Sequence, residues 1–143
     1  MNVTFHYKRI WIPKAKNLKL IAIRPIIPIT ICYLKSKVRY EALIDSGADC
    51  NIFEAQLGEL IGLNIRRGIK RQFGGITGQP AIAYMHKIVI AVDNYEVETE
   101  CGFSENISMD GCGILGQNGF FNHFKIYFDR SAEIIQLSPK IKH

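Results

Sequence analysis

The chain has 143 residues, 48% of them hydrophobic, which is enough for one packed domain and excludes a low-complexity or disordered chain. Its net charge is +5, yet residues 1–40 carry nine Lys/Arg and no acid, while all thirteen acids lie between Glu41 and Glu133. A basic arm of this kind contacts nucleic acid or an acidic partner, or stays a solvated segment. Its aromatic interleaving is limited to Phe5, Tyr7 and Trp11, which argues against nucleic acid.

No apolar run reaches bilayer length, since Arg24, Pro25 and Pro28 interrupt Leu20–Leu34, so no membrane partner is expected. The N-terminus lacks a signal-peptide layout, and a cytoplasmic location is expected. The four cysteines (Cys32, Cys50, Cys101, Cys112) have no CxxC spacing, and His6, His86, His123 and His143 are scattered. Neither set suggests a metal site, and no cofactor is expected.

In chain order, Met1–Leu18 is expected to be a loose or edge-pairing extension, and residues 1–19 are set apart as a basic N-terminal extension from a domain spanning 20–143. Lys19–Ile23 and Ile29–Leu34 are expected strands, with Pro25 and Pro28 placing an edge or a bend between them. Val38–Ile44 alternates and forms a hairpin with the preceding strand around Lys35-Ser36-Lys37.

Asp45-Ser46-Gly47-Ala48 then follows an apolar strand end. A carboxylate at the end of a buried strand is costly unless hydrogen-bonded or partnered. Gly47 permits a sharp turn and Ser46 offers a hydroxyl. A bland role is available too, a turn carboxylate capping nearby backbone N–H groups. If Asp45 works by acid–base hydrolysis of a peptide, a second carboxylate is needed. The chain has no second Asp-Ser/Thr-Gly, so that carboxylate must come from another copy.

Ile52–Ile61 carries Phe53, Leu57, Leu60 and Ile61 at helical spacing, with Gly62 as its C-cap. Ile65–Phe73 is expected to be extended, followed by the glycine-rich turn Gly74-Gly75-Ile76-Thr77-Gly78. Ala81–Ala91 and Tyr95–Phe103 are expected strands, the second with Glu96, Glu98 and Glu100 on a wet face. Gly113-Ile114-Leu115-Gly116 is a short apolar stretch. Gln117–Phe124 is expected to be a short helix weakened by Gly119. Lys125–Phe128 and Glu133–Leu137 form a last hairpin. Many short strands with one or two small helices make a mainly β domain.

Three blocks together resemble the retroviral-type (retropepsin-like) aspartic proteases, and more closely their prokaryotic and cellular single-domain members. They are Leu43-Ile44-Asp45-Ser46-Gly47-Ala48-Asp49, Gly74–Gly78, and Ile114-Leu115-Gly116-Gln117-Asn118-Gly119-Phe120-Phe121. The resemblance implies an all-β, mainly antiparallel acid-protease fold and an obligate-type homodimer. It implies that Asp45 of each chain shares one proton with its counterpart and activates a water against an extended peptide. By the same resemblance Ser46 bonds across the dimer, Gly47 and Ala48 leave room for substrate, and Asp49 binds substrate main chain. Gly74, Gly75, Ile76, Thr77 and Gly78 become a flap, while Ile114, Leu115, Gly116 and Gln117 support the site. Gln117 departs from the family, which usually has an Arg paired to an acid here. The competing expectation is a non-catalytic, dimeric peptide- or protein-binding module on the same fold.

Overall fold

A computed structural model describes residues 2–14, 18–74, 79–108 and 111–140. The isoleucine-rich stretch Ile26–Tyr33 (β4) suits a strand because β-branched side chains pack well on a pleated surface. It turns at Leu34-Lys35 and pairs antiparallel with Ser36–Ile44 (β5), Ile29 opposite Tyr40. Pro28 falls inside β4, opposite Glu41 and before the stretch from Thr30 that meets a second neighbour. There β4 has one partner only, and the missing N–H costs little.

After the turn at Asp45 the chain forms Asn51–Glu54 (β6) and then the helix Ala55–Leu60 (α1). The expected helix over Ile52–Ile61 is therefore shorter. Ile52 and Phe53 lie in a strand, because Phe53 is fully buried against Phe103, their rings 5.9 Å apart. Leu60 is 74% exposed. Gly62 closes the helix at φ +96°, its N–H on the carbonyl of Glu59. A single 3-10 turn at Ile65–Arg67 precedes Ile69–Phe73 (β7), so only the second half of the stretch expected to be extended is a strand.

Ala81–Val92 (β8) and Tyr95–Ser104 (β9) form the longest hairpin, and Glu96 and Glu98 are exposed as expected. Cys112–Leu115 (β10) runs parallel to β5, with Leu115 opposite Ile44. The strand order is β4-β5-β10-β6-β9-β8-β7, and β4 also meets β8, with Ile31 opposite Ile90. The sheet thus closes on itself through β4 and β8, which covers the free side of β4 from Thr30 to Cys32 and leaves β7 as an edge. Ile27, Ile31, Phe53, Ile90, Phe103 and Leu115 fill the core.

Residues 117–124 do not form the expected helix. Phe120 and Phe121 both donate to the carbonyl of Gly116, and Gly119 sits at φ +125°, outside helical space. The Asn122 side chain takes the Gly119 N–H at 2.9 Å, competing with a helical bond. Phe124–Asp129 (β11) and Ile134–Pro139 (β12) follow as the last hairpin.

The N-terminal residues pair as strands. Val3–His6 (β1) lies on β12, giving the order β1-β12-β11. Lys8–Lys14 (β2) and Leu18–Arg24 (β3) form a separate two-stranded ribbon. Two of the early cations are engaged: Lys8 with Glu41, and Arg9 with Glu133 at 2.9 Å. Among the described residues no helix is long and apolar enough to cross a membrane.

Candidate active site

The parallel pairing of β5 with β10 brings Asp45 and Gly116 side by side although 71 residues separate them. Asp45 emerges at the end of β5, and its N–H donates to the carbonyl of Leu115 at 2.9 Å. Its side chain folds into a local turn: Oδ1 accepts the Gly47 N–H at 2.9 Å, and the Asp45 carbonyl accepts the Ala48 N–H at 3.1 Å. Asp45 is half-buried, whereas Ser46, Gly47 and Asp49 are exposed.

The loop continues beside residues 116–118. Gln117 N–H donates to the Ala48 carbonyl at 2.9 Å, Asn118 N–H to the Asp49 carbonyl at 2.8 Å, and Cys50 bridges to Asn118. A side chain at Gly116 is excluded, since a Cβ there would stand 2.5 Å from the Cys50 carbonyl. The Gln117 amide reaches back over the turn and donates to the Ser46 carbonyl at 2.8 Å. Gln117 therefore does bind the motif loop, through its backbone and not through Asp49.

Asn51 was not singled out by sequence reasoning. It is fully buried, accepts the Gly116 N–H at 3.0 Å and donates to the Glu100 carbonyl at 3.3 Å. One side chain thus joins the loop after β10 to β9. Its signal in the sequence is small: a lone amide heading the apolar run Asn51-Ile52-Phe53, where burial requires a partner.

Beside this loop lies a groove of about 990 Å³. Gly47, Ala48, Asp49 and Cys50 form one wall, with Ile114 and Ile52 behind them. Phe73, Ala83 and Met85 continue the apolar lining in one cluster with Ile52, and polar residues, among them Arg71, Lys87, Glu98, Glu100 and Asn118, line the rest. Asp45 stands next to the groove, while the lining itself starts at Gly47. Leu115 is buried in the core and Ile114 half-buried.

Of the expected flap, Gly74 is exposed at φ +72° on the groove wall. Gly75, Ile76, Thr77 and Gly78 lie outside the described residues. The strands flanking them, β7 and β8, pair as far as Phe73 opposite Ala81. Arg71 meets Glu100 at 3.7 Å over the groove.

Burial, and then the nearby Asp49, pushes the Cys50 thiol up, which keeps it protonated at neutral pH. Burial also raises the phenol of Tyr40, which donates to Glu54 at 2.9 Å behind the core. Among the described residues no three His, Cys, Asp or Glu side chains converge as a metal-holding group.

No protein-family model and no curated protein matches the sequence. Solved structures do match. A retropepsin-like aspartic protease from Rickettsia conorii superposes with a TM-score of 0.60 at 10% identity, over 96% of this chain and 90% of that one. EIAV protease, complexed with the inhibitor HBY-793, matches at 18% identity and a TM-score of 0.49, over 73% of this chain and 88% of the other.

Proposed function

We propose that this chain, whose fold is that of the retropepsin-like aspartic proteases, is a homodimeric aspartic endopeptidase acting on extended peptides. One observation carries the reading: Asp45 follows the buried end of β5 in a turn clamped by Leu115 and Gln117, next to a peptide-sized groove.

One Asp45 comes from each of two chains. Two carboxylates in close approach resist double ionisation and hold one proton between them. The ionised partner takes a proton from a bound water as it attacks the scissile carbonyl. The protonated partner donates to the carbonyl oxygen. Collapse of the tetrahedral intermediate, with protonation of the leaving amine, returns the dyad to its starting state. No covalent intermediate forms.

The remaining residues position this chemistry. The Ser46 hydroxyl bonds across the dimer and keeps the two turns in register. Gly47 and Ala48 leave the carboxylates open to a backbone, and Asp49 receives substrate N–H groups at the groove wall. Gly74–Gly78 closes over the peptide and excludes water. The substrate backbone pairs like an added strand, its apolar side chains toward Ile52, Phe73 and Met85.

The test is cleavage of a diverse peptide library across a pH series, read by mass spectrometry, with wild type and Asp45→Asn side by side. Cleavage by wild type that is absent from Asp45→Asn supports the reading. No cleavage by a folded, dimeric wild type overturns it in favour of a peptide-binding module.

A further inference from the structure

The ribbon formed by β2 and β3 pairs with no other strand among the described residues. Its register sets Trp11 opposite Ile21 and Arg9 opposite Ile23. Ile10 opposite Ala22 and Ile12 opposite Leu20 alternate with these pairs and occupy the other face. Both faces are therefore apolar, whereas a ribbon lying on its own domain needs one. Trp11 is 65% exposed, Leu20 49% and Ile21 43%. No described side chain of the ribbon belongs to either apolar cluster of the core. An isolated two-stranded ribbon is marginal in water, and exposed apolar surface of this kind marks an interaction site.

The ribbon leaves the body at the Asp45 end of β5. Pro25, which links β3 to β4, accepts the Ile44 N–H at 2.9 Å, one residue before Asp45. Lys8 at the ribbon's base is ion-paired with Glu41 of the same strand. Arg9 holds Glu133 through two bonds, of 2.9 and 3.1 Å. The base is thus fixed to β5 and to the turn before β12, and the link Pro25 bonds to the residue before Asp45.

Charge identifies the occupant. Residues 1–40 carry nine cations and no acid, while the rest of the chain carries nine cations and thirteen acids. A second copy of this chain offers both the acid excess of residues 41–143 and the missing carboxylate.

We propose that the ribbon of β2 and β3 is an arm that clasps the body of a second copy, with Trp11 and Ile21 as its apolar anchors. The inference rests on the proposed function, since the site is incomplete without that copy. Two such arms, related by a two-fold axis, each cover the partner's body and close the assembly as a dimer.

Sedimentation of the full chain over a concentration series tests this. The variants are wild type, the double variant Trp11→Glu/Ile21→Glu, and Leu60→Glu as an exposed control on α1. The double variant is expected to raise the dimer dissociation constant by about a hundredfold, as loss of an aromatic anchor does. Its far-UV circular dichroism and Leu60→Glu dimerisation are expected to match wild type. Amide exchange of residues 8–24 in wild type, slower above the dissociation constant than below it, gives the same answer without a substitution. A double variant that dimerises like wild type, concentration-independent exchange, or a monomeric wild type overturns the inference. So does loss of single-stranded RNA binding with an unchanged dimer, which assigns the ribbon to nucleic acid. Peptide cleavage on the same samples separates the two claims: an arm-dependent dimer without cleavage leaves the arm standing and removes the protease reading.

Discussion

The side-chain amide of Gln117 donates to the backbone carbonyl of Ser46 at 2.8 Å, spanning the turn that presents Asp45. An uncharged residue thereby restrains the motif loop. Gln117→Ala removes the bond, leaving a carbonyl that water can reach. The expected cost in stability is about 1 kcal/mol or less, seen as a small drop in Tm. The expected loss in kcat/KM is larger, about tenfold, because small displacements of a catalytic group are costly. A drop in Tm with unchanged kcat/KM would show that the loop is held without Gln117.

Asn51 and Gly116 behave as one unit in the structure. Asn51→Leu leaves the Gly116 N–H and the Glu100 carbonyl unsatisfied in the interior, at about 2–4 kcal/mol. Gly116→Ala drives a Cβ into the Cys50 backbone at 2.5 Å, at about 2–3 kcal/mol or more. Urea denaturation of both variants and their combination checks this. The double variant is expected to cost less than the sum, since both changes disrupt the same contact.

Much of the fold was legible before the structure, and the reason is local. The hairpins β4–β5, β8–β9 and β11–β12 announce themselves through apolar runs on either side of short polar turns. The Asp45 motif and Ile114-Leu115-Gly116 were legible as residue patterns. Their adjacency was implied by the resemblance alone, because parallel pairing of β5 with β10 leaves no local trace. The Asn51–Gly116 bond, 65 residues apart, is of the same kind. Phe53 was misplaced on a helix because its spacing to Leu57 fits both a helix and a strand end. Burial against Phe103 decided for the strand. At 117–124, a helical-looking window lost to Gly119 and to the competing bond from Asn122.

Acid should weaken the fold for an identifiable reason. Arg9 holds the Glu133 carboxyl below its ordinary range, Arg66 does so for Glu105, and the Ala132 N–H does so for Asp129. A carboxylate with a lower pKa folded than unfolded adds stability above its unfolded value and loses it as pH falls through the folded one. Thermal stability is therefore expected to decline below pH 4.5, the ordinary glutamate value. Arg9→Gln should make that decline shallower and lower Tm slightly at neutral pH. The groups are solvent-exposed, so each effect is small. A steeper acid decline in Arg9→Gln would contradict the assignment.

Cys50 lines the groove, whereas Cys32 and Cys101 are buried. Its raised pKa predicts slow alkylation at neutral pH and faster reaction as pH rises. Maleimide modification at Cys50 is expected to abolish peptide binding and to be slowed by a bound peptide. Cys112, half-buried and outside the groove lining, is the internal reference. Peptide mapping by mass spectrometry reads all four thiols. Full binding after complete Cys50 modification would place the peptide elsewhere.

The most direct test of the central claim is a subunit-mixing experiment. Wild type and Asp45→Asn are mixed under conditions of subunit exchange, and peptide hydrolysis is followed against the wild-type fraction at constant total protein. If each site needs one Asp45 from each chain, activity falls as the square of that fraction. An equal mixture then retains roughly a quarter of the wild-type rate. A linear fall, with roughly half the rate at equal mixing, would mean that each chain carries a complete site and would contradict the account.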